Sequence, residues 1–158
     1  MFTATWKWGL TNFDEVRAVR TAVFIEEGGV SPDEEFDWFD GISAHLLVKT
    51  RSGELIAAAR MYPDGGQTHI GRIAVMPVFR DQPYKDFCLR MLLFKAQSLA
   101  GEEIVVSSPV DDVGLYASFG FVPAGAPVFE HGGEHINMRV KRGEIRWHSQ
   151  CKGHSAEK

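Results

Sequence analysis

The stretch from Gln67 to Ser107 limits the possible folds more than any other. QTHIGRIAVM (residues 67–76) is a strand pattern with one internal glycine, which marks a bulge. RDQPYKD follows as a loop. Residues 84–100 then set Phe87, Cys88, Met91, Leu92, Ala96 and Leu99 on one helical face. EIVVS (residues 103–107) is a buried-type strand. Strand, helix and strand in that order predict two parallel strands joined by a helical crossover, because parallel neighbours need a connection of roughly a dozen residues or more.

Antiparallel ladders are expected around that crossover. Residues 3–8 read as an edge strand, and residues 44–50 and 54–61 as a hairpin about Arg51-Ser52-Gly53. Asn12 and Glu15 have capping-box spacing at the start of a helix that Gly28-Gly29 ends. Residues 114–119 read as a short helix closed by Gly120, and residues 121–129 and 135–140 as the last strands. The expected fold is α/β: a single domain with a mixed, mainly antiparallel sheet, a central parallel crossover and helices on both faces. Residues 1–142 form the domain and residues 143–158 a polar tail.

A chain of 158 residues can bury the core of one domain without staples. Its formal net charge of −4 argues against nucleic acid as a partner. No apolar run reaches the roughly 18 residues of a membrane span, and the first residues lack a basic-then-apolar signal pattern. A cytoplasmic enzyme or binding domain is therefore expected, with no membrane partner. Cys88 and Cys151 are too few for a disulfide framework. His131 and His135 stand four apart, but Gly132-Gly133 between them breaks the helix that such ligand spacing needs. Cys151 with His154 is too small a ligand set, so no metal is expected.

Three local patterns, in this order of elements, resemble the GCN5-related N-acetyltransferase (GNAT) superfamily. HIGRIAVMPVFRDQPYKDFCLRMLL is similar to its central strand, pyrophosphate loop and helix. LYASFGFVPAG is similar to its later helix and turn. RTAVFIEEGGVSPDEEFDWFDGISAHLLV, with GEHINM, resembles a bacterial subfamily of small acetyltransferases without an assigned acceptor. The resemblance spans residues 13–141. It implies acetyl-CoA as the donor, the amine of a small molecule as the acceptor and direct attack of one on the other. Homodimers are frequent among similar proteins.

Acyl transfer from a thioester needs the donor held, its carbonyl polarised, the amine deprotonated and the leaving thiolate protonated. The resemblance assigns the donor's amide arm to the main chain of Ile73, Ala74 and Val75. It assigns the pyrophosphate to Arg80, Asp81, Gln82, Pro83, Tyr84 and Lys85. It implies Tyr116 as general acid, and a tyrosine's reference pKa of about 10 does lie above that of a thiol. A tyrosine at such a place also serves as a helix-face aromatic packed on the sheet. Asp33, Glu34, Glu35, Asp37 and Asp40 are five carboxylates within eight residues. They read as a solvated acidic loop or as a site that attracts an amine and supplies its base. Asp37 and Asp40 match the subfamily pattern, with Asp37 as a candidate base and Asp40, with Arg20, Arg60 and Arg72, as a candidate substrate binder. Arg20, Arg60 and Arg72 pair with these acids or with an acidic acceptor. His45 and His135 also match the pattern; each is a structural hydrogen-bonder or a base, and His135 is taken as catalytic.

The loop departs from the family. Its usual form, Arg/Gln-x-x-Gly-x-Gly/Ala, lets backbone N–H groups converge on the pyrophosphate at a helix N-terminus. Here Pro83 and Lys85 occupy the glycine positions. Pro83 has no N–H, and Lys85 adds a side chain where close approach is needed. Asp81 brings a carboxylate toward the phosphate and reads as a helix N-cap. Weakened coenzyme A binding, or a donor held differently, is expected, with Arg80 and Lys85 as compensating cations. Ser107-Ser108-Pro109 also replaces an alanine-glutamine pair frequent in the subfamily.

Two other readings stay open. Arg20-x-x-x-Phe24, Glu35-x-Asp37-x-x-Asp40 and Arg60 resemble acyl-homoserine-lactone synthases. Those share the fold, lack the glycine loop, take an acyl group from acyl carrier protein and use S-adenosylmethionine. The third reading is non-catalytic: a GNAT fold that has lost its donor and binds a metabolite or a partner protein.

Overall fold

A computed structural model describes residues 1–99 and 101–148. Ala100, Cys151 and His154 lie outside those residues. The strands are β1 (Phe2–Trp8), β2 (Ala44–Thr50), β3 (Leu55–Asp64), β4 (Gln67–Val75), β5 (Glu103–Pro109), β6 (Val122–Pro123), β7 (Val128–Glu130) and β8 (Gly133–Lys141). The α-helices are α1 (Asp14–Arg20), α2 (Pro32–Glu35), α3 (Tyr84–Ala96) and α4 (Val113–Ser118). All eight strands share one sheet in the order β1-β2-β3-β4-β5-β8-β6, with β7 paired to β8. Only β4 and β5 run parallel, joined through α3 as the crossover predicts.

Strand alternation puts a core on each face. Leu46, Val48, Ala57, Ala59 and Met61 point to the side of α3, where Cys88, Leu89, Leu92 and Leu93 cover them. Leu47, Ala58 and Ala74, one residue out of step, meet Phe13, Val16 and Val19 at α1. The helix stripe differs from expectation: Leu89 and Leu93 are fully buried, while Phe87 and Met91 are only partly so. Each fully buried leucine contributes about 1.5–3 kcal/mol of transfer free energy.

Four local expectations are corrected. Asn12 does not cap α1; it has a left-handed φ of +54° in the turn before it, and Phe13 stands at the uncapped N-terminus. Asparagine tolerates that conformation, and the turn claims it first. The first helix is not uniform, because Thr21–Glu27 continues it as a π-helix. Asp81 does not cap α3, whose N-cap is Pro83 without a side-chain cap bond. Residues 121–129 are not one strand, since β6 and β7 are separate.

Gly120 (φ +100°) does end α4, and a Cβ there would meet the Glu144 carbonyl oxygen at 2.8 Å. That contact belongs to a segment expected in the polar tail. Residues 143–148 instead pack on the domain: Arg146 N–H donates to Phe119 O, and His148 lies against Phe119 and beside Ser118. Among the described residues, no helix is long and apolar enough to cross a membrane.

Candidate active site

The sheet opens where its two parallel strands part. β4 and β5 pair only through Gln67–His69 and Glu103–Val105. Beyond that, β4 stays in the β3 ladder to Val75, and β5 stays in the β8 ladder to Pro109. A bulge accompanies the parting. Ala58 pairs with Ala74 and Arg60 with Gly71, so Ala59 alone opposes Arg72 and Ile73. The left-handed residue is Arg72 (φ +50°), not Gly71. Such backbone costs about 1–3 kcal/mol in a residue with a Cβ. Arg72 is held there by its side chain, whose Nε and Nη2 donate to the Glu35 carbonyl at 3.3 and 3.2 Å.

Two cavities occupy the opening. The larger, about 680 Å³, runs between the π-helix, the end of β4 and the start of α3; Val23, Glu27, Val75, Arg80, Gln82 and Lys85 line it. The smaller, about 70 Å³, lies between Arg72, Tyr116, Glu130, His131 and His135. Phe24, Ile73, Pro109 and Asp112 line both, so the two spaces meet at the parted strands.

Behind them lies a network of three arginines and three carboxylates. Arg20 is fully buried; its Nε donates to Glu35 Oε2 at 2.6 Å and its Nη1 to Asp40 Oδ1 at 2.7 Å. Arg60 grips both oxygens of Asp37 at 2.7 and 2.9 Å and reaches Asp40 at 2.8 Å. Arg72 lies 3.4 Å from Glu35 Oε2 and 3.4 Å from Asp37 Oδ2. Burial pushes the Asp37 and Asp40 carboxyls up, but the arginines outweigh it and hold both below the usual range. Three of the four expected substrate binders, Arg20, Asp40 and Arg60, are thus spent on one another. Arg72 alone of them lines the small cavity. Asp37 lines neither cavity and is a poor base with both oxygens engaged. His45 is structural as well: fully buried, it donates from Nε2 to the Asp40 carbonyl at 3.0 Å, and burial lowers its pKa.

Tyr116 and His135 do reach the small cavity. Tyr116 is buried among α3 and Phe121, and burial drives its hydroxyl well above the usual pKa. It therefore carries its proton throughout the working range. His135 Nδ1 lies 3.0 Å from the Gly133 carbonyl, so that nitrogen bears the proton and Nε2 is left as an acceptor. Sequence reasoning missed His131 as a site residue, together with Glu27 and Asp112. Glu35 was legible only as a member of the acidic cluster and of the Glu35-x-Asp37-x-x-Asp40 run, with no role of its own. Among the described residues, no group of three or more His, Cys, Asp or Glu is disposed to hold a metal ion.

Residues 30–142 match the family model described as "Acetyltransferase (GNAT) domain". The chain belongs to this GNAT family. A UPF0039 protein of Schizosaccharomyces pombe is 32% identical over 130 residues, which is 80% of this chain and 86% of that one. An acyl-CoA N-acyltransferase from Pseudomonas aeruginosa is 26% identical with a TM-score of 0.75, covering 88% of this chain and 99% of that one. Escherichia coli ElaA has a TM-score of 0.76 at 23% identity, over 88% of this chain and 99% of its own. FeeM, an N-acyl amino acid synthase from uncultured soil microbes, has a TM-score of 0.75 at 16% identity, over 91% of this chain and 92% of its own. Membership in the GNAT family makes the chain a transferase.

The residues that the resemblance assigns to the donor are divided between the large cavity and the cores. Ile73, Val75, Arg80, Gln82 and Lys85 line the large cavity, whereas Ala74 and Tyr84 are buried in the cores and Asp81 and Pro83 line neither cavity. The Gln82 and Tyr84 N–H groups donate to the carbonyls of Phe79 and Gln82. With Pro83 lacking a donor, this part of the backbone offers little to an anion. Both cations are also engaged. Arg80 pairs with Glu27 through two bonds of 2.7 and 2.6 Å, and Lys85 holds both oxygens of Asp112 at 3.0 and 3.2 Å.

Proposed function

We propose that this GNAT chain moves an acetyl group from acetyl-CoA to the amine of a small molecule by direct attack. The observation that carries this reading is the junction of the two cavities at Phe24, Ile73, Pro109 and Asp112. A donor lying along β4 in the large cavity would present its thioester at that junction, with Tyr116 and the histidines on the far side. The main chain from Ile73 to Val75 pairs with the donor's amide arm. The bulge at Arg72 and Ile73 leaves a backbone N–H there to polarise the carbonyl. Gln82, and Arg80 and Lys85 once released from their carboxylates, take the pyrophosphate.

The reaction balances within the small cavity. The amine nitrogen bonds to the acetyl carbon and the carbon–sulfur bond breaks. Tyr116 gives its proton to the departing thiolate, and an imidazole of the cavity takes the proton that the nitrogen loses. His135, with Nε2 free, is one of the two imidazoles available. Asp37 and Asp40 act from behind, holding Arg60 and Arg20.

The test is release of free thiol from acetyl-CoA in the presence of a panel of primary amines, with mass spectrometry of the products. Acetylated amine supports the reading; no product with any amine, and no donor binding, sinks it.

A second reading has one observation in its favour. The residues that resemble acyl-homoserine-lactone synthases, Arg20, Glu35, Asp37, Asp40 and Arg60, form a single bonded network, and FeeM shares the fold. Turnover of an acyl chain carried on acyl carrier protein, in the absence of turnover with acetyl-CoA, would favour it.

A further inference from the structure

We infer that His131, held by the buried carboxylate of Glu35, is the base that takes the acceptor's proton; this rests on the acyltransfer reading above. Glu130 pairs with Gly133, so His131 and Gly132 form a two-residue hairpin loop between β7 and β8. Both have positive φ, +50° and +82°, as the tight primed turns demand. Asparagine, aspartate and glycine are the usual residues at the first of these positions; histidine is an uncommon choice that brings an imidazole.

That imidazole is fixed on three sides. Its Nε2 bonds Glu35 Oε1, its main-chain N–H donates to Glu34 Oε2 at 2.7 Å, and its ring packs edge-on against Phe24 with centroids 4.8 Å apart. Glu35 is fully buried and its other oxygen belongs to Arg20 and Arg72. Since a carboxylate only accepts, Nε2 carries the proton and Nδ1 keeps its lone pair. His131 lines the small cavity together with Tyr116 and His135. The two imidazoles, 6.2 Å apart by centroid, differ in what stands behind them. His135 is backed by the Gly133 carbonyl, a dipole; His131 is backed by a carboxylate, whose far oxygen is anchored by Arg20 and Arg72. An imidazolium formed during the reaction is therefore better stabilised on His131, in the manner of a carboxylate that orients a catalytic histidine. The charges around it favour the same outcome. Glu34, Glu35, Asp112 and Glu130 set four carboxylates around it, against Arg20 and Arg72 on Glu35 and Lys85 on Asp112.

The step moves one proton. The attacking nitrogen bonds to the acetyl carbon, its surplus proton goes to His131 Nδ1, and Tyr116 protonates the sulfur. Glu35 takes no part in the transfer and is a positioning residue.

The test uses the full chain and His131→Asn, His135→Asn and Glu35→Gln. Asparagine suits the turn at least as well as histidine, so His131→Asn keeps the fold. Acetyl-CoA binding is measured first, by calorimetry. Thiol release is then followed against pH, with benzylamine as the probe amine and with water alone as the acceptor. His131→Asn is expected to bind acetyl-CoA like the parent and to lose about 10²–10⁴-fold in kcat, with the rising limb of the pH profile gone. Glu35→Gln is expected to move that limb to lower pH, and nitrogen NMR of the imidazole to show the Nε2–H tautomer of His131 weakened. Parental kcat and pH profile in His131→Asn would overturn the base while leaving donor binding intact. So would loss of the limb in His135→Asn alone, or a parent that binds acetyl-CoA yet releases no thiol. A parent that does not bind acetyl-CoA overturns the acyltransfer reading and this inference with it.

Discussion

Arg80 and Glu27 close a two-point ion pair across the mouth of the large cavity, with Arg80 Nε also donating to the Val75 carbonyl at 2.9 Å. The guanidinium thus grips a planar, two-oxygen anion supplied by the π-helix. A phosphate of the donor would ask for the same two N–H groups. The pair is half exposed, and Arg80 holds Glu27 below its usual pKa chiefly through those hydrogen bonds.

Glu27→Gln should therefore tighten acetyl-CoA binding by releasing Arg80. The pair is exposed to solvent and screened, so the gain is at most about fivefold. Asp112→Asn, which frees Lys85, should act in the same direction. Calorimetry at low and high salt checks both; weaker binding in Glu27→Gln would mean that the carboxylate shapes the site and does not compete with the donor.

Tyr116→Phe should lower kcat by about 10²–10⁴-fold with acetyl-CoA binding unchanged. The phenol is buried and stays protonated, so removing its oxygen removes the acid and little of the packing. Unchanged turnover would assign Tyr116 to the core alone.

Arg20→Met should destabilise the fold by about 3–5 kcal/mol, because it leaves Glu35 and Asp40 buried without their partner. Urea unfolding measures this directly. A loss below about 1 kcal/mol would mean that water or Arg60 and Arg72 take over both carboxylates.

Stability should fall in two stages as pH drops. Burial holds His45 and His69 below their ordinary pKa, so protons bind the unfolded chain first and stability declines below about pH 6.5. Asp37 and Asp40 are also held low by their arginines; their contribution is complete above about pH 3.9 and is lost as pH falls further through the folded values. Urea midpoints between pH 8 and 3 check the profile, and His45→Gln should flatten its upper stage.

The sequence made the crossover legible because a strand period, a helix period and a second apolar run follow one another between Gln67 and Ser107. The residues of the acidic run and their arginines were legible as a set, but not as a closed network. Their pairing depends on β3, α1 and α2 meeting in space, and spacing alone does not say whether a charge faces solvent or its own neighbour. The π-helix left no mark, since Thr21–Glu27 fits an ordinary helix equally well. His131 was hidden for a related reason. In the sequence it stood only as half of a His131–His135 ligand spacing that Gly132-Gly133 breaks, and the packing of the β7–β8 hairpin against α2 is what brings it to Glu35.

On the reading proposed above, the opening between β4 and β5 holds acetyl-CoA despite its proline-bearing loop. Thermal unfolding of the full chain with increasing acetyl-CoA tests it most directly, because a ligand that binds only the folded state raises the midpoint in proportion to the logarithm of its concentration. The midpoint should rise with acetyl-CoA in the parent, and rise further in Glu27→Gln. A midpoint that stays flat up to millimolar acetyl-CoA in both proteins would contradict it.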